Sequence, residues 1–174
     1  YSYNVGTLKA KARVATLEQV NAWINMHQTI RVIQGRLEER LRSETDLSWA
    51  EFETLMRLKT AAGQPLHMGE IAYQLVGSPS GTTRIADRLE NAGLIERETP
   101  RENRRVVLVK LTEKGNRVLA KADRLFRESL HETFAAHLTD REVGAVRQAM
   151  RKLLEGNDAW QEARCSPASP PASS

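Results

Sequence analysis

Along the first quarter of the chain, apolar residues recur at three- and four-residue intervals: Leu17, Val20, Ile24, Ile30, Ile33, Leu37 and Leu41. His27 keeps the same register, and Arg36, Glu38, Glu39 and Arg40 fall elsewhere on the surface. This spacing keeps one face of an α-helix apolar, so a single helix of about seven turns is predicted. "DLSWAEFETLMRL" follows; Ser48 and Glu51 stand at capping-box separation, Leu47 can staple the helix start, and a second helix should run to about Ala62. "AGQPL" breaks the pattern, and "HMGEIAYQL" supplies a short helix with Ile71, Ala72 and Leu75 inward.

The next stretch, "VGSPSGTTRIADRLENAGL", opens a further helix. Ser78 suits the N-cap, Pro79 the first helical position and Gly93 the exit. Ile85 and Leu89 face inward, while Ser80, Thr83, Arg84, Asp87 and Asn91 lie on roughly the opposite side. Beyond Gly93 the period drops to two: "LIERETP" and "RRVVLVKLT" flank the polar tip "PREN", which reads as a two-stranded ribbon. Thr112 then starts a helical run with Val118, Leu119, Ala122, Leu125, Phe126 and Leu130 as its stripe. A second capping box, Thr139 with Glu142, starts a last helix whose apolar positions are Val143, Val146, Met150, Leu153 and Leu154. From Gly156, and above all in "SPASPPASS", the composition is that of a disordered tail.

Composition narrows the class. With 40% hydrophobic and 28% charged residues over 174 positions, the chain suits a soluble globular protein. No run approaches the roughly 18 to 20 uncharged apolar residues of a membrane span, and the start lacks a signal-peptide core, so a cytoplasmic location and no membrane partner are expected. The single cysteine, Cys165, lies in the tail, which rules out an intrachain disulfide or a cysteine metal cage. His27, His67, His131 and His137 form no tight ligand pair; no metal and no cofactor are expected. A net charge of +4 permits nucleic-acid binding without requiring it.

"GSPSG" superficially matches the G-x-S-x-G nucleophile elbow, but Pro79 occupies the serine's place and the preceding residues have helical spacing. A phosphate-binding G-x-x-x-x-G-K loop fails as well, because Thr82 follows Gly81. No carboxylate pair is marked as catalytic, so an enzyme is not expected. A short helix, a tight turn and a second helix with a small polar N-terminus describe a helix-turn-helix, whose second helix enters the DNA major groove. The adjoining ribbon carries Arg101, Arg104, Arg105 and Lys110 against a single acid, Glu102. Such a basic ribbon reads as a wing, whose tip arginine can enter the minor groove. The rival reading, a winged helix that binds protein and not DNA, calls for an apolar recognition face, whereas Ser80, Thr83, Arg84 and Asn91 are polar.

In "SPSGTTRIADRLENAGLIER" and "NRRVVLVKLTEKG" the chain resembles the MarR family of bacterial winged-helix regulators. The shared features are the S-x-S-x-x-T-R opening, the R-L-E-x-x-G-L-I-x-R exit and a basic wing closing on L-T-x-x-G. The resemblance implies a mainly α fold with a two-stranded β wing. An arm (1–16) precedes an N-terminal dimerisation helix (17–45), a winged helix-turn-helix (46–111), C-terminal dimerisation helices (112–156) and a tail (157–174). It further implies a homodimeric regulator of transcription, a repressor by expectation, on a pseudo-palindromic operator with half-sites about one turn, roughly 10 bp, apart. Independently of the resemblance, the stripes on the first and last helices are too long for the small central core to cover. Carried over by position, Ser78, Ser80, Thr82, Thr83 and Arg84 would meet bases and phosphates, Arg88 would lie nearer the backbone, and Arg105 would enter the minor groove, with Arg101 or Arg104 able to share its role. Two residues before Arg105 the family usually has an aspartate; Asn103 stands there and adds no charge.

Family resemblance also implies release from DNA by small aromatic acids. Trp23, His27 and Arg31 are spaced by four on the first helix, and Trp49, Glu53 and Met56 lie on the second. A Trp with a cation can hold an aromatic carboxylate. Trp23 and His27 also fall on or beside the apolar stripe, where core packing is the commoner outcome. Cys165, placed in the tail, argues against peroxide sensing. The arm "YSYNVGTLKAKAR" reads either as a basic strand touching phosphates or as an extra short helix.

Overall fold

The computed structural model describes residues 14–60, 65–67, 69–71, 79–100 and 106–160, with the backbone alone at 79 and 80. Five main helices and three short strands are defined there. Helix α1 spans Leu17–Thr45, α2 Trp49–Thr60 and α3 Pro79–Asn91, the last being the expected recognition helix. Strands β1 (Leu66–His67), β2 (Ile95–Glu98) and β3 (Leu108–Leu111) form one antiparallel sheet in the order β1-β3-β2. Helix α4 covers Glu113–Thr133, a 3₁₀ turn covers Ala135–His137, and α5 covers Asp140–Gly156.

Local chemistry explains the helix starts. Thr16 accepts from the Gln19 backbone N–H while the Gln19 side chain accepts from the Thr16 N–H, a capping box that fixes where α1 begins. Ser48 and Glu51 do the same for α2, and Thr139 and Glu142 for α5. Each box is worth about 1 kcal/mol to its helix. At α5 the Thr139 backbone hydrogen bond, followed by its hydroxyl, holds the Glu142 carboxyl below the ordinary value of 4.5.

The core sits where the C-terminal end of α1 meets α2, α3, the sheet and α4. Leu41, Leu47, Phe52, Leu55, Leu58, Ile71, Leu89, Ile95, Val109 and Leu119 are buried there in one cluster. Trp49, Phe52 and Phe126 pack as a triangle with centroids 5.4 to 6.0 Å apart, joining α2 to α4. Arg40 of α1 reaches α4, where its guanidinium lies 3.1 Å from both Glu128 and Glu132 and 3.2 Å from the Ser129 hydroxyl.

Three expectations need amendment. The two-stranded ribbon is present as β2 and β3, but a third strand joins it: Leu66 pairs with Val109 and His67 with Leu108. His67, placed at the start of the short helix, thus belongs to the sheet, and residues 69–71 are helical. Trp23, for which core packing is the commoner expectation, is 62% exposed; along the α1 stripe, which is too long for the core to cover, only Leu37 and Leu41 are buried and Leu17 is 77% exposed. Finally, residues 157–160, assigned to the tail, fold back on α5: Ala159 N–H donates to the Leu154 carbonyl at 2.8 Å and the Arg151 guanidinium lies 4.8 Å from the Trp160 ring centre. The arm up to residue 13, residues 61–64 and the tail from 161, with Cys165, lie outside the described residues.

Candidate nucleic-acid interface

Helix α3 separates its faces cleanly. Thr82, Ala86 and Leu89 are buried and Ile85 is half-buried, whereas Thr83, Arg84, Asp87, Arg88 and Asn91 are exposed. Spacings of three and four place the first group on one stripe against the core and the second group outward. Thr82 is therefore a correction: expected among the base contacts, it is 2% exposed, because it lies one turn before Ala86 on the packed stripe. Pro79 begins the helix as expected. Ser78 falls outside the described residues, and nothing is assigned to the Ser80 side chain.

The exit of α3 is over-determined. Gly93 adopts φ +69°, its N–H bonds the Glu90 carbonyl at 2.8 Å, and Leu94 N–H bonds the Leu89 carbonyl at 2.9 Å, the paired bonds of a Schellman motif. Lys114 Nζ donates to the Ala92 carbonyl at 2.7 Å. Thr112 caps α4 by accepting from Gly115 N–H at 2.9 Å, and its hydroxyl also donates to the Gly93 carbonyl at 2.8 Å. The L-T-x-x-G motif is thus the joint that fixes the wing's second strand and α4 to the end of the recognition helix. A Cβ at Gly115 would fall on the Leu94 carbonyl, 2.9 Å from its carbon.

A residue that the sequence shows only as the last letter of the R-L-E-x-x-G-L-I-x-R motif, with no role attached, locks the wing to the helix. Arg97 of β2 places Nη1 2.7 Å from Asp87 Oδ1 and 3.4 Å from Glu90 Oε2. Both acids of the outer α3 surface are thereby neutralised from the sheet. The signal was available, because Arg97 shares the strand face of buried Ile95, and an arginine on an inward face requires a partner. Lys110, counted in the basic ribbon, sits directly opposite Glu96 and pairs with it at 3.3 Å, so its charge is balanced across the strands. Arg101, Asn103, Arg104 and Arg105, the proposed wing tip, lie outside the described residues.

Arg88, expected near the DNA backbone, has its Nε 3.0 Å from Glu51 Oε1. Glu51 was read only as the capping residue of α2; its second carboxylate oxygen is what the pattern could not disclose.

The proposed six-residue effector pocket does not assemble within one chain. Trp49 and Met56 pack against the core, but Trp23 precedes Leu41 by eighteen residues, about 27 Å along α1 at 1.5 Å per residue. Trp23 and His27 stack on each other with centroids 6.4 Å apart, exposed on α1 together with Arg31. Glu53 stays on α2 with the Trp49 and Met56 group. Among the described residues no cluster of His, Cys, Asp and Glu could hold a metal, and no helix is long and apolar enough to cross a membrane.

The MarR family model matches residues 47–107, which takes in α2, α3, β1 and β2 and stops just before β3. The multiple antibiotic resistance protein MarR of Escherichia coli is 30% identical over 122 residues, covering 70% of this chain and 83% of that protein. This chain belongs to the MarR family. The transcriptional repressor MprA of E. coli is 28% identical over 137 residues, 79% of this chain and 76% of its own length. Among solved structures, a mutant MarR from E. coli complexed with operator DNA aligns with a TM-score of 0.70 at 27% identity, covering 80% of this chain and 99% of that one. As a member of this family the chain is a transcriptional regulator and not an enzyme, and the helices flanking its winged helix are α1, α4 and α5.

Proposed function

We propose that this chain is a DNA-binding repressor that acts as a homodimer. The N-terminal half of α3 enters the major groove of each half of a pseudo-palindromic operator, and the wing tip enters the minor groove. The observation that carries this reading is the exposed face of α3, where Thr83, Arg84, Arg88 and Asn91 stand together while Asp87 is neutralised by Arg97. A protein-binding surface of this scaffold would instead show an apolar face there. Ser78, Ser80, Arg101, Asn103, Arg104 and Arg105 complete the proposed contact set. The operator-bound structure of a mutant MarR supports the reading by family likeness.

The dimer is supported by apolar area that none of the described residues covers. Val20, Ile24 and Ile30 of α1 and Val146 and Leu153 of α5 are exposed, and α5 has no buried residue among those described. The effector in this reading is a small aromatic acid, held by the Trp23–His27 stack and Arg31 once a second chain closes over α1. It would favour a conformer with displaced recognition helices and so lower operator affinity.

Gel-shift titration of Arg84→Ala tests the reading on two duplexes, one selected in vitro with the unmodified chain and one of random sequence. A loss of at least about ten-fold on the selected duplex, with a smaller loss on the random one, is expected of a residue that reads bases. Equal losses on both would make Arg84 a backbone contact, and no binding by the unmodified chain would remove the reading altogether.

A further inference from the structure

We infer that Glu51, a residue of α2 outside the proposed DNA surface, is a positioning residue for DNA binding and that it acts through Arg88. The inference rests on the DNA-binding reading. Glu51 uses its two carboxylate oxygens on different elements. Oε2 accepts from the Ser48 N–H at 2.8 Å and from the Ser48 hydroxyl at 2.7 Å, which fixes the carboxylate at the N-terminus of α2. Oε1 lies 3.0 Å from Arg88 Nε, and the Glu51 side chain is 5% exposed against 66% for Arg88.

A nearly buried carboxylate needs a cation, and the Arg88 guanidinium supplies it as an ion pair at 3.0 Å. The guanidinium is planar, so holding Nε beside the carboxylate narrows the directions its Nη edge can take. Arg88 stands one turn after Arg84 on the same exposed face of α3, which places that edge at the height of the phosphate backbone when α3 enters a groove. Ser48, Glu51 and Arg88 thus form a relay in which an α2 cap sets the rotamer of a recognition-helix arginine. Without it a long side chain must be immobilised when DNA arrives, at a cost of about three- to ten-fold in affinity.

Charge alone predicts the opposite sign. Removing a negative group beside a DNA-binding surface should tighten binding, whereas loss of positioning should weaken it. Glu51→Gln separates the two while keeping a capping box, since Gln19 fills the same role at α1. Affinity for an in vitro selected duplex is measured by fluorescence anisotropy across a range of KCl, for the full-length wild type, Glu51→Gln, Arg88→Ala and the double variant. Glu51→Gln should weaken binding three- to ten-fold in the wild type and less than two-fold when Arg88 is already alanine. Arg88→Ala should lower the slope of log K against log[KCl] by about 0.9 per engaged arginine. Equal weakening in both backgrounds would assign Glu51 to the α2 cap alone, and unchanged or tighter binding of Glu51→Gln would show that it does not assist Arg88; either overturns the inference. Should Glu51→Gln melt below the assay temperature, Ser48→Ala is carried through the same cycle with the same criteria. A wild-type chain that selects no duplex overturns the DNA-binding reading and this inference together.

Discussion

At Gly115 the first turn of α4 lies so close to the Leu94 carbonyl that even a methyl group has no room. Alanine would favour the helix by about 1 kcal/mol. The obstacle is backbone, flanked by Leu111 Cδ2 at 3.3 Å from the same Cβ position, and cannot be moved by rotating a side chain. Overpacking of that kind costs about 3 kcal/mol or more, so the clash prevails. Gly115→Ala should lower the urea midpoint accordingly at fixed protein concentration; an unchanged or raised midpoint would mean that the joint between wing and recognition helix yields easily. Thr82 makes the complementary point. The family resemblance carries it to the DNA surface by position, but one turn of helix registers it with Ala86 and Leu89, and the packed stripe takes it inward.

Among the elements, α5 leans most on its cap, because none of its residues is buried among the described parts of the chain. The charged form of Glu142 is favoured by the folded state, so its contribution is present above 4.5 and is lost as pH falls through the lowered value. A carboxyl NMR titration of Glu142 should show a midpoint below 4.5; a midpoint at or above it would mean that the box is open in solution. Such boxes were legible in the sequence at Ser48 and Thr139 because they are local, with both partners three residues apart. The box of Thr16 and Gln19 is equally local. Strand β1 was not legible, since two residues carry no period and their pairing with β3 is settled some forty positions away. Long-range ion pairs were lost for the same reason: Arg97 with Asp87, and Arg88 with Glu51, join elements whose approach no spacing rule states. The polar face of α3 was read correctly at Thr83, Arg84, Asp87 and Asn91, because amphipathicity is a property of one helix alone.

For the whole molecule, the decisive feature is the division of α1. Its last turns, at Leu37 and Leu41, complete the core beside α2 and α4, while the preceding turns carry Leu17, Ile24 and Ile30 into solvent. The stripe is continuous in sequence yet only partly satisfied within one chain, and a second copy is the partner proposed to cover the remainder. Two recognition helices would then stand at a separation set by α1, α4 and α5 of both chains. Hydroxyl-radical footprinting on a duplex selected with the full-length chain tests this most directly. Two protected patches related by a two-fold axis and centred about one helical turn, roughly 10 bp, apart are expected; a single protected patch, or protection without two-fold symmetry, would contradict it.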